Sequence, residues 1–333
     1  MDNHSSTNIS KFDEYLTEFY GPGVFAAYVF LSSLFVIGSD VLFIAMTLTT
    51  PYLRSHESNW FLVGFSLADC LHCFFHVIDA FAIWFGSIEN RSFCKHVGFF
   101  VVATASTSFG FPALIAADRY YKITYLPQNG SLMINLFTRK SIVPVIALWF
   151  LFAFAINIPL LTFDAFGEDP GGFCGARKFA SVPLLLAYEF SCLSIFAISM
   201  LMTGYYYIRL TAWLNSHQVT HISSETMNYT RAVMKLMKAV TIVPMVTATP
   251  AVILGGGQML FPELPMWIRR ALISAYFISS AANPWLTILL VRPFRTRFRQ
   301  LFCGGAVESV TVSSDVQMVS SISRQTRNAG IKF

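Results

Sequence analysis

The chain has 333 residues, of which 55% are hydrophobic and only 12% charged, with a mean hydropathy of +0.56. Soluble domains carry about 25% charged residues, so this composition excludes an ordinary water-soluble globule and points to a membrane protein. The net charge of +5 says less than its distribution along the chain, and six scattered cysteines without a CxxC pair argue against a structural zinc site.

Residues 1–21 read as a short polar tail with glycosylation sequons at Asn3 and Asn8 and no signal-peptide pattern. Apolar segments long enough to cross a bilayer as helices follow at roughly 22–48, 60–84, 95–121, 140–163, 181–208, 231–256 and 268–291. Seven spans with an external amino terminus leave the carboxyl terminus inside. In that arrangement sixteen of the 23 lysines and arginines fall on the inner side and seven on the outer, as the positive-inside rule requires. Of the remaining sequons, Asn90 falls outside, whereas Asn129 and Asn228 fall inside and should stay unmodified.

After segment seven, RPFRTRFRQLFC reads as an amphipathic helix on the inner surface, with Phe294, Phe298, Leu301 and Phe302 in the membrane boundary. Cys303 at its end is a palmitoylation candidate or a plain juxtamembrane cysteine. Residues 304–333 read as a disordered tail whose serines and threonines could carry phosphate. The expected fold is thus an all-α membrane protein: a seven-transmembrane helix bundle over 22–303, closed by a short amphipathic helix.

Segment three carries the most specific signal. It opens with Cys94 and closes with Asp118, Arg119 and Tyr120, a charged triplet at the point of membrane exit, 25 residues separating Cys94 from Arg119. This arrangement resembles helix three of rhodopsin-like G-protein-coupled receptors. Further likenesses are SLAD with Asp69 in segment two, Trp149 and Pro159 in segment four, Pro250 in segment six, and Asn283-Pro284 in segment seven. The resemblance implies a disulfide between Cys94 and Cys174. It also implies a sodium site at Asp69, Ser108 and Ser280, with no other cofactor. Coupling would run through Asp118, Arg119, Tyr120, Asn283, Pro284 and Pro250 to a heterotrimeric G protein, with arrestin and a receptor kinase as further partners at the tail. Location in the plasma membrane follows, with no role for nucleic acid and no enzyme activity.

Several positions depart from the family pattern. The asparagine of helix one is Asp40, the tryptophan before Pro250 is Ala248, and the tyrosine of the NPxxY motif is Thr287. Thr230 stands where an acid often locks the helix-three arginine, while Pro112 and Pro244 add distortions of their own. These departures resemble divergent nematode chemosensory receptors. Two carboxyls near one site, Asp40 and Asp69, should share a proton or bind a cation.

On the ligand side, Val101 replaces the aspartate of amine receptors, and segment seven has no lysine for a retinal Schiff base. Asp69, His72, His76 and Asp79 share one helical stripe, so His76 and Asp79, with Val101 and Glu189, are the ligand-contact candidates. His72 and His76 are also four apart, as zinc ligands can be, but membrane histidines more often bond across helices, and a metal ranks below that reading. The alternative from another class is a multi-pass transporter, with the Asp40–Asp79 series as a proton or ion path; no internal repeat supports it.

Overall fold

The computed structural model describes residues 21–124, 136–169, 171–177, 181–217, 234–236, 238–239, 242–243, 246–250 and 264–303. The sequons at Asn3, Asn8, Asn129 and Asn228, the positions Thr230 and Pro244, and the tail from 304 lie outside these residues. Helix α1 spans Pro22–Thr49, α2 Pro51–Ser55, α3 Asn59–Trp84, α4 Arg91–Thr124 and α5 Arg139–Thr162. Strands β1 (Phe166–Glu168) and β2 (Cys174–Ala176) follow, then α6 (Val182–His217), α7 (Met266–Leu290) and α8 (Arg292–Cys303). Six helices among the described residues are long and apolar enough to cross a membrane. The sixth sequence segment is described only in part, and those pieces between 234 and 250 are mostly helical.

The helix boundaries follow from local chemistry. Helix α1 begins with Pro22, whose missing N–H is no loss in a first turn, and ends where Thr50 turns extended ahead of Pro51. Helix α3 stops at Gly86, which adopts a left-handed conformation and returns its N–H to Ile83. Two helices outrun the hydrophobic pattern. Helix α4 has 34 residues and so reaches about 51 Å, well beyond a bilayer core of about 30 Å. Helix α6 runs nine residues past the expected end at 208, because Leu210 is fully buried in the core there and the continued helix carries it.

One large apolar cluster fills the Asp-Arg-Tyr end of the bundle, including Phe43, Phe61, Phe111, Tyr120, Leu210 and Phe294. Phe294 does not face the membrane boundary; it stacks on Phe43 of α1 with ring centroids 5.1 Å apart. Phe298 packs edge-on against Trp285 at 5.7 Å, leaving Leu301 and Phe302 as the exposed apolar side chains of α8. The amphipathic helix is therefore pinned by one buried ring rather than laid freely on the surface.

The disulfide end is closed by the β1–β2 hairpin, which the sequence did not announce. Phe166 pairs with Ala176, Gly167 with Gly175 and Glu168 with Cys174. Its backbone lies directly on α4, since a Cβ at Gly98 would meet the Gly175 carbonyl oxygen at 2.7 Å. Only glycine allows that approach.

Candidate functional site

Three anchors hold the hairpin over the helices. Cys94 at the head of α4 is bonded to Cys174, the pairing expected from the sequence. Asp79 Oδ1 on α3 accepts the Cys174 backbone N–H at 2.8 Å. Arg270 on α7, buried and lying over the Phe25 ring, donates from Nε to the Gly171 carbonyl at 2.9 Å. A fourth tie is electrostatic: Asp164, with φ of 60°, gathers Arg91, Lys95 and Arg177. The Arg91 guanidinium first, then the Lys95 ammonium, hold its carboxyl down to about 2.

Beneath the hairpin is a cavity of about 150 Å³ lined by residues of α3, α4, α6, α7 and the hairpin. His76 and Val101 line it, as does His72. Asp79 and Glu189 do not. Asp79 lies behind the lining, its Oδ1 taken by the hairpin, and Glu189 sits about 100° around α6 from Tyr188, which together with Cys192 forms the lining stripe. Residues the sequence reading missed complete the cavity: Phe109, Asp169, Tyr188, Arg269 and Tyr276. Tyr276 packs against His72 (ring centroids 4.9 Å apart), against Phe109 (5.7 Å), and in one cluster with buried Ala248. An aromatic from α7 thus fills space beside the small residue of the sixth segment. Isolated tyrosines and arginines in apolar runs give no sequence signal of this kind.

One turn deeper, the stripe of α3 meets a polar core. Asp69 is wholly buried; Ser108 and Ser280 donate to its Oδ1 at 2.5 and 3.2 Å, and Asn283 Nδ2 donates to Oδ2 at 2.9 Å. Asp40 on α1 is equally buried, and both of its oxygens lack a hydrogen bond of ordinary geometry. A carboxyl group, two hydroxyl oxygens and a second, unsatisfied carboxyl nearby form a donor set that fits a small hard cation such as sodium. Pro284, the next residue, is buried. Thr287 spends its hydroxyl on the Asn283 carbonyl at 3.0 Å, so it serves its own helix and reaches no other.

At the opposite end Asp118 is buried with Lys122 Nζ 2.9 Å from its Oδ1; the same ammonium is 3.3 Å from Glu57 and donates to Ser58 at 3.2 Å. Arg119 is half-buried, and among the described residues no carboxylate lies within ion-pair distance of it. Tyr120 is buried with its ring 5.4 Å from that of Tyr206 on α6. Between the polar core around Asp69 and Arg119 lies the apolar cluster that contains Phe111, Ile115 and Ile288.

A family model described as the seven-transmembrane receptor (rhodopsin family) matches residues 39–286, three quarters of the chain. The chain belongs to that family. A comparison with curated proteins finds no match. The receptor is accordingly a multi-pass membrane protein of a signalling family, not of an enzyme family. Among its described residues, Pro250 is half-buried, Asn90 is exposed with its Oδ1 accepting the Phe93 N–H at 3.2 Å, and Cys303 ends α8.

Proposed function

We propose that this receptor takes a small ligand into the cavity beneath the hairpin and promotes nucleotide exchange on a heterotrimeric G protein docked at Arg119. The hairpin side then faces outward in the plasma membrane and the Arg119 side inward. A cavity of about 150 Å³ holds a single-ring compound without side-chain movement. Its aromatic walls, two imidazoles, Arg269 and Asp169 suit a small polar or aromatic molecule better than a long lipid. A ligand touching Tyr276 and His72 presses on the layer directly above Asp69, whose hydrogen bonds join α3, α4 and α7. A different preferred spacing of those helices in the bound state would shift the population toward an open inner crevice. A sodium ion at Asp69, Ser108 and Ser280 would favour the closed spacing by supplying the positive counter-charge that the Asp40 and Asp69 carboxyls call for.

The observation that carries the reading is the state of Arg119. Its neighbour Asp118 is engaged by Lys122, and no described carboxylate restrains the guanidinium, so it is available to a partner helix. The test is nucleotide exchange on a panel of G proteins, comparing the receptor with Arg119→Ala. Exchange above empty membranes without added ligand, lost in the variant, is the expected result. Exchange that survives the substitution would sink the proposal.

A further inference from the structure

Asp118 is a buried acid held by charge alone. Neither of its oxygens has a hydrogen bond of ordinary geometry, and among the described residues Lys122, one turn further along α4, is the one cation within ion-pair distance. The ammonium has supports of its own. It lies 3.3 Å from Glu57 and donates to Ser58 Oγ at 3.2 Å, and both residues belong to the turn between α2 and α3. That turn is fixed independently of Lys122. Buried Asn59 donates from Nδ2 to the Leu53 carbonyl at 2.8 Å, and its backbone N–H returns to the His56 carbonyl at 3.1 Å. Lys122 is therefore clamped between a rigid turn and a buried carboxylate.

A buried carboxylate that loses its partner is costly, and the chain relieves that cost with the next cation in reach. Here the next cation is Arg119, the adjacent residue. While the Lys122 ammonium sits 2.9 Å from Asp118 Oδ1, that demand is already met. Lys122 and Arg119 are also three residues apart on one helix, where like charges repel. Both effects keep the guanidinium off the acid. We propose that Lys122 is a positioning residue for coupling: clamped by Glu57 and Ser58, it holds Asp118 and so leaves Arg119 open to the G protein. The coupling half of this statement rests on Arg119 being the docking point. The competition of Lys122 and Arg119 for one carboxylate does not.

The experiment uses the full-length receptor in lipid nanodiscs with two readouts. Thermal melting of Asp118→Asn, Arg119→Gln and the double variant measures whether those two side chains interact. In the parent their Tm losses are expected to add. In a Lys122→Gln background the double variant should lose less than the sum, because Asp118 has turned to Arg119. Nucleotide exchange without ligand should fall about 5-fold or more in Lys122→Gln. It should recover in Lys122→Arg, which keeps the charge, and in Lys122→Gln/Asp118→Asn, which removes the acid. A merely structural lysine would lower Tm without creating the interaction between Asp118 and Arg119. Interaction already present in the parent, or additivity in both backgrounds, would overturn the proposal. So would exchange that stays low in Lys122→Gln/Asp118→Asn, since Lys122 would then act on the partner itself. Should Lys122→Gln fail to fold, the parent cycle and the double variant, which strands no charge, decide. The melting cycles need no G protein, so failure of coupling and failure of the clamp are read apart.

Discussion

Gly110 on α4 sits beneath the indole of Trp149 on α5, whose Nε1 donates to the Thr107 carbonyl at 2.8 Å. A Cβ placed there would lie 2.6 Å from Trp149 Cη2 and closer still to Cζ2 and Cε2, where ordinary contact begins at 3.4 Å. Gly110→Ala must therefore push the indole aside or part the two helices. Overpacking of this kind costs about 1–3 kcal/mol, and an indole that swings away also gives up a hydrogen bond worth about 0.5–1.5 kcal/mol. Replacing a mid-helix glycine returns about 0.5–1 kcal/mol, so the net is a loss of about 2 kcal/mol, within about 0.5–4. Gly204→Ala on α6, with nothing within 4 Å of the new methyl, should be neutral or gain up to about 1 kcal/mol. Thermal melting of both variants in nanodiscs gives the comparison, and a double-mutant cycle with Trp149→Leu isolates the contact. Equal melting of Gly110→Ala and the parent would refute the packing, as would additivity within about 0.5 kcal/mol in the cycle.

Asp164→Asn keeps a residue that tolerates the left-handed backbone while removing the charge shared by Arg91, Lys95 and Arg177. Because the folded pKa is depressed to about 2 from an ordinary value of about 3.9, the carboxylate contributes stability above pH ~4 that is lost as pH falls toward 2. Melting curves of the parent should fall toward those of the variant across that window, and 1 M salt should narrow the gap above it; a constant gap at every pH would deny the linkage. Asp40→Asn leaves the shape of the polar core but removes one of two buried carboxyls, so thermal stability should respond less to exchanging choline for sodium. An unchanged response would make Asp69 alone responsible. Glycosidase treatment of expressed receptor should produce a mobility shift that Asn90→Gln diminishes and that Asn129→Gln and Asn228→Gln leave intact; a contribution from either of the latter would invert the topology.

Much of the bundle was legible because membrane helices announce themselves by length and because the polar core depends on fixed intervals. Asp69, Ser108, Ser280 and Asn283 meet because three rigid helices bring these four residues to one depth. The roof was not legible. Two three-residue strands joined through a glycine turn have neither the length nor the alternation that marks a strand, and they are placed by α4, the disulfide and Arg270 rather than by their own sequence. Arg269 and Arg270 counted simply as outer charges, yet both fold back and are buried, since their long stems pack while the guanidinium finds carbonyl oxygens. Glu189, a ligand-contact candidate in the sequence, lies off the cavity lining because helical phase decides which of Tyr188, Glu189 and Cys192 faces inward.

The bond between Cys94 and Cys174 spans 80 residues. With the hairpin side outward as proposed, the second cysteine reaches the oxidising side only after α4 and α5 have been made. Until then Cys94 is a free thiol and Asp79 lacks the Cys174 N–H, while Arg270, the remaining anchor, arrives only after the loop. The roof is thus in place before α6 and α7, which complete the cavity beneath it. A substitution that slows insertion of α5 would therefore prolong the life of Cys94 as a free thiol and delay the roof.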